Sequence, residues 1–146
     1  MASSYLNLHV HVVFATEDRV PCIVPAWRSD LHAYLGGVAR GLGAAPLRIG
    51  GVADHVHLLL GLKAVHSVAS LVREIKKGSV YWARERHRGF GWQSGYAAFS
   101  VGRSEIERVA RYIANQEEHH RKVSPLEELL TLLREEGVEF DERYAR

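Results

Sequence analysis

Between residues 6 and 14 the chain alternates. Leu6, Leu8, Val10, Val12 and Phe14 fall on one side and His9, His11 and Val13 on the other, the period-two pattern of a strand with one buried face. Past Pro21 and Pro25 the period changes: Trp27, Leu31, Tyr34, Leu35, Val38 and Leu42 follow helical spacing, and Gly41 and Gly43 supply the stop. Two short apolar runs, 47–52 and 56–62, are separated by so few residues around Ala53 and Asp54 that a hairpin is expected. Ser67 then opens a helix to about Arg86, with Val68, Leu71, Val72, Ile75 and Trp82 as its buried stripe and Gly78 weakening it. Residues 89–95 read as a loop and 96–101 as a fourth strand. Ser104 with Glu107 predicts a capping box and a helix from Glu105 to about Lys122. Ser124, Pro125 and Glu127 repeat the start signal for a last helix through Glu136, closed at Gly137.

The order β-α-β-β-α-β followed by two helices predicts an α+β fold: a ferredoxin-like sandwich whose antiparallel sheet carries two helices on one face, plus additional C-terminal helices. A length of 146 residues suits one domain. With 47% hydrophobic and 25% charged residues the chain is neither disordered nor low in complexity. No window approaches the roughly 18 apolar residues of a membrane span, and the start lacks the basic and small-residue marks of a secretory leader. A soluble cytoplasmic protein without a membrane partner is therefore expected. Cys22 is the only cysteine, which excludes an internal disulfide and a thiolate zinc site. The net charge of +2 hides an asymmetry, about +6 over residues 1–123 against −4 over 124–146. The basic excess is densest between Arg73 and Arg88, a stripe that either tracks phosphates or is a solvated helix face.

Three groups of residues carry candidate chemistry. In Asp54-His55-Val56-His57-Leu58, strand alternation points both histidines to one face with Cα atoms about 7 Å apart, so two imidazoles can converge on one ion. The same spacing also suits two half-exposed histidines packing on a sheet, and His9/His11 repeats the triplet. On the penultimate helix, Tyr112 and Gln116 lie about 40° apart on one flank of the Ile106, Val109, Ala110, Ile113 stripe, with His119 close by. That places a phenol beside an amide and an imidazole, as a nucleophile needs, or simply an amphipathic tyrosine at a core edge. Phe90, Trp92, Tyr96 and Phe99 either stack exposed bases or belong to the core.

The stretches GGVADHVHLLL, FGWQSGYAAFSVGRSEIERVARYIANQEEHH and EEGVEFDERY together resemble the single-tyrosine insertion-sequence transposases of the HUH endonuclease superfamily, including relatives associated with repetitive extragenic palindromes. The resemblance implies that residues 1–123 are the catalytic domain and that 124–146 form an acidic helix and tail of the same unit. It implies His55, His57 and Gln116 as ligands of a divalent metal, Mg²⁺ or Mn²⁺, and Tyr112 as the nucleophile that forms a 5′-phosphotyrosine link in single-stranded or hairpin DNA. Imidazole ligands favour Mn²⁺ over Mg²⁺. Where relatives carry a T-K-x-R element this chain has Thr16-Glu17-Asp18-Arg19, which leaves Arg19 as a DNA contact and removes the lysine. Charge alone adds Arg73, Lys76, Lys77 and Arg84 to the DNA-binding candidates. The family implies a homodimer with composite sites, the tyrosine helix docking beside a partner's histidines. Two alternatives are a non-catalytic hairpin-DNA-binding module and a metal-dependent phosphodiesterase in which water attacks.

Overall fold

A computed structural model describes residues 3–141. The last residues of the closing motif and of the acidic tail, 142–146, lie outside the described residues. Four strands, β1 (Leu8–Ala15), β2 (Ala45–Gly51), β3 (His55–Leu62) and β4 (Ala97–Ser100), form one antiparallel sheet in the order β2-β3-β1-β4. Helices α1 (Pro25–Gly41) and α2 (Val68–Arg84) are the crossovers, and α3 (Ile106–Ala114), α4 (Gln116–His119) and α5 (Pro125–Glu135) follow the last strand. This is the α+β sandwich the alternation predicts. Strand and helix ends move by a few residues, where hydrogen bonding rather than apolar spacing sets the limit.

Alternation along β1 and β3 divides the interior in two. Val10, Val12 and Phe14 of β1 and Val56, Leu58 and Leu60 of β3 face α1 and α2, where they bury with Leu31, Leu35, Leu71 and Ile75 in the main core. The other face carries a much smaller apolar cluster, Leu59, Val101, Val109 and Ile113. At about 1.5–3 kcal/mol per fully buried aliphatic side chain, the first face dominates stability, and α3 to α5 depend more on polar contacts.

The start signals divide. Ser67 and Ser124 cap α2 and α5 through Ser70 N and Glu127 N. The expected capping box at Ser104 does not form: Arg103–Glu105 is a 3-10 turn, and Glu107 pairs instead with Arg111 one turn on. The helix expected to run unbroken to Lys122 is interrupted at Asn115 (φ −98°, ψ 19°), which separates α3 from α4. Packing of α3 on the sheet is allowed by Gly50 of β2, since a Cβ there would overlap the carbonyl of Ile113. Among the described residues no helix is long and apolar enough to cross a membrane.

Candidate functional site

His55 and His57 project from β3 on the face opposite Val56 and Leu58, as strand alternation requires. The alternative of two half-exposed histidines does not hold: they are 2% and 0% exposed, because α3, α4 and α5 roof this side. Each is held by its Nδ1. His55 Nδ1 donates to Asp54 Oδ1 at 2.8 Å, and His57 Nδ1 lies 2.8 Å from Nε2 of His11 on the neighbouring strand β1. Of the first-strand pair His9 and His11, His11 is thus part of the network, buried and stacked on His57.

The tyrosine helix supplies the second set. Tyr112 is half-buried with its ring centroid 5.7 Å from that of His57, and His119 is 5.3 Å beyond it. Gln116, at the start of α4, is 1% exposed, and its Oε1 lies 3.3 Å from His55 Nε2. Both residues thus reach the chain's own histidines. Sequence spacing leaves the placement of this helix open, and the resemblance assigned it to a partner chain. Here one chain carries the whole set.

Two members of the centre escaped the sequence reading, His120 and Glu128. Glu128, on α5, is 4% exposed and sits between the two sets. Its Oε1 is 2.9 Å from His57 Nε2, 3.2 Å from His55 Nε2 and 3.1 Å from His120 Nε2. Its Oε2 accepts the Tyr112 hydroxyl in a short bond and the Gln116 amide at 2.8 Å, with His119 Nε2 at 3.3 Å. A sequence signal for it existed: Pro125, Glu128, Leu129, Leu132 and Leu133 follow i, i+3, i+4, i+7, i+8 spacing, which puts a carboxylate in the apolar stripe of α5. His120 is turned inward by a bond from its Nδ1 to Val123 O at 2.7 Å.

The charges follow from this packing. Burial works against the Glu128 carboxylate, but hydrogen bonds from His55 and His57 outweigh it and hold the group below the ordinary carboxylate range. Burial also opposes protonation of His55, yet the bonds to Asp54 and Glu128 raise its pKa to about 9. His57 is pushed down, chiefly by burial, and His11 falls to about 3 by burial and the neighbouring His57. A neutral His57 donates from Nε2 to Glu128 and accepts at Nδ1 from His11. Burial, and then the adjoining carboxylate, raise the Tyr112 pKa, so in this arrangement the phenol keeps its proton.

The basic candidates separate. Arg19 lines a cavity of about 560 Å³ that opens onto His55 and Glu128 between β1, β4 and α5, beside Tyr96 and Phe99. Arg73, Lys76, Lys77 and Arg84 ride on α2, across the sheet from the histidines. Lys76 binds the carbonyls of Gln93 and Gly95 at 2.9 and 2.6 Å, and Arg84 binds Phe90 O at 2.9 Å, so both tie down the 89–95 loop. Arg73 and Lys77 are exposed. Of the aromatic group, Phe90 and Phe99 are buried and Trp92 packs on the main core, while Tyr96 remains 44% exposed.

His55, His57, His120 and Glu128 each offer one ligand atom, all within 4.8 Å of one another. A buried set of imidazole and carboxylate donors fits a divalent cation. The fold and the site together define an α+β protein with a buried histidine and carboxylate cluster, able to hold a metal ion, facing a tyrosine. Residues 4–116 match the family described as IS200-like transposases, and the chain belongs to that family. It is similar in structure to a putative transposase from Deinococcus radiodurans (23% identity, TM-score 0.65, 80% of this chain and 95% of that one). It is also similar to a REP-associated tyrosine transposase bound to a REP hairpin (16% identity, TM-score 0.63, 84% of this chain and 74% of that one). No curated protein matches the chain.

Proposed function

We propose that this transposase-family protein cleaves and rejoins single-stranded DNA at hairpin-bearing element ends in the cytoplasm, with Tyr112 as nucleophile. The observation that carries the proposal is the meeting, within one chain, of the Tyr112 hydroxyl with a buried set of metal-ligand side chains. His55, His57 and Gln116 would hold Mn²⁺ or Mg²⁺, and the imidazoles favour Mn²⁺. The cation, when bound, supplies the positive charge that neutralises and orients a scissile phosphate.

This chain's residues then divide the work. Asp54 and His11 fix the two imidazole rings, and Gly50 lets α3 lie close enough for Tyr112 to face them. The phenol releases its proton to solvent as its oxygen bonds to phosphorus, the 3′-oxygen departs with its bonding pair and takes up a proton from solvent, and the phosphate stays on Tyr112 as a 5′-phosphotyrosine. Because the ester is conserved, a second 3′-hydroxyl can displace Tyr112 and rejoin the strand without another energy source. The cavity beside His55 admits the single strand, with Arg19 as the nearest phosphate contact. Arg73 and Lys77 are placed for phosphates of the hairpin on the far side of the sheet. The single-chain geometry supports a site working in cis, so a homodimer would be an assembly of complete sites.

The test uses labelled oligonucleotides from the DNA flanking the gene, folded as hairpins, with Mn²⁺ and a denaturing gel. A covalent adduct is expected with the parent protein and none with Tyr112→Phe, which still binds the hairpin. Cleavage without any adduct would mean that water attacks. Binding without cleavage would mean a recognition module.

A further inference from the structure

The residues carried over from the family pattern leave the centre with a charge problem. Two imidazoles and an amide, each 2% exposed or less, would hold a doubly charged ion with no compensating anion among them. The anion present is Glu128, on a helix beyond the family match at 4–116. Its Oε1 stands 2.9, 3.2 and 3.1 Å from the Nε2 atoms of His57, His55 and His120. Donor atoms gathered this closely would be able to share one cation.

The supporting contacts agree. A metal-bound histidine normally gives its other nitrogen to a carboxylate, a carbonyl or a comparable partner, which aims the free nitrogen at the ion. Two do so, His55 to Asp54 and His120 to the Val123 carbonyl, while the ring of His57 is held at Nδ1 by its contact with His11. His120 Nδ1 is held by the Val123 carbonyl at 2.7 Å, which leaves its Nε2 facing Gln116 Oε1 at 3.0 Å and Glu128 Oε1 at 3.1 Å. The other carboxylate oxygen of Glu128 meanwhile holds the Tyr112 hydroxyl.

We propose that Glu128 and His120 are ligands of the cation, and that Glu128 couples the metal to the nucleophile, with Oε1 on the ion and Oε2 on the Tyr112 hydroxyl. The inference rests on the metal reading above and adds to it a carboxylate and a third imidazole. It gives α5 a role: the helix delivers the charge that balances the cation and fixes the nucleophile's distance from it.

The test is Mn²⁺ binding by isothermal titration calorimetry, with electron paramagnetic resonance of free Mn²⁺ as a second readout, on full-length metal-stripped protein without DNA. Glu128→Ala and His120→Ala should each weaken Mn²⁺ at least about tenfold. Glu128→Gln, which keeps shape and an oxygen donor but loses the charge, should weaken it less than Glu128→Ala, and serves if the alanine variant does not fold. Equal or tighter binding by Glu128→Ala and Glu128→Gln, with a clear loss in His57→Ala, would overturn this inference alone and make Glu128 a plug that competes with the ion. If the parent binds no Mn²⁺, or His57→Ala binds it equally well, the metal reading itself fails.

Discussion

Tyr112 and Glu128 meet hydroxyl to carboxylate although sixteen residues and the break at Asn115 separate them. That contact closes the centre within one chain, because the same carboxylate also touches the histidines of β3. The position of Tyr112 is thus tied both to the sheet, through α3 on β2, and to the acidic C-terminal helix.

Mixing Tyr112→Phe chains with His57→Ala chains should therefore restore no covalent adduct, since the lost hydroxyl and the lost imidazole belong to the same site in each chain. The check is the denaturing gel after demonstrated subunit exchange. An adduct in the mixture would show that α3 leaves its own sheet and serves a partner, the composite arrangement implied by the family resemblance.

The buried histidines should matter for stability as well as for chemistry. His57→Ala leaves a void under α3 and removes a donor from a buried carboxylate, at a cost of about 2 kcal/mol or more in urea denaturation with chelator present. His11→Ala strips only the partner of His57 Nδ1 and should cost less. A His57→Ala protein within about 0.5 kcal/mol of the parent would mean that this network does not help hold the roof on the sheet.

Gly50→Ala is expected to abolish adduct formation while leaving most secondary structure in place. Its Cβ would collide with the Ile113 backbone and push α3 off β2, at about 1–3 kcal/mol, whereas the main core on the other face is untouched. Gly37→Ala, on α1 with open space around it, is the control and should be neutral or stabilising. Far-ultraviolet circular dichroism with the adduct assay separates the two variants.

Acid sensitivity should include a contribution from His32 on α1. Burial, and then the charge of Arg28, lower its pKa to about 4. The unfolded chain, with an ordinary histidine pKa near 6.5, therefore binds the proton first. That contribution to stability is intact above the unfolded value and declines as pH falls toward 4, with a slope of at most about 1.4 kcal/mol per pH unit. His32→Gln should flatten the stability profile across that window. An unchanged slope would show that His32 is protonated in the folded protein.

The sheet, its two crossover helices and the family were legible in the residues, because strand alternation and helical spacing are local properties of the chain. His55 and His57 could be placed on one face by counting alone, and Tyr112 and Gln116 on one flank. What counting could not decide is which surface comes to lie over that face. The burial of the histidines, the role of His11, the break at Asn115 and the use of Lys76 and Arg84 to bind a loop all depend on contacts between segments distant in sequence. Glu128 is the clearest case: its position in the apolar stripe of α5 marked it as buried, but only the docking of that helix beside β1 and β4 brought it to three imidazoles and a phenol. Local periodicity sets the direction of a side chain relative to its own element, and the packing of elements against one another sets what it meets.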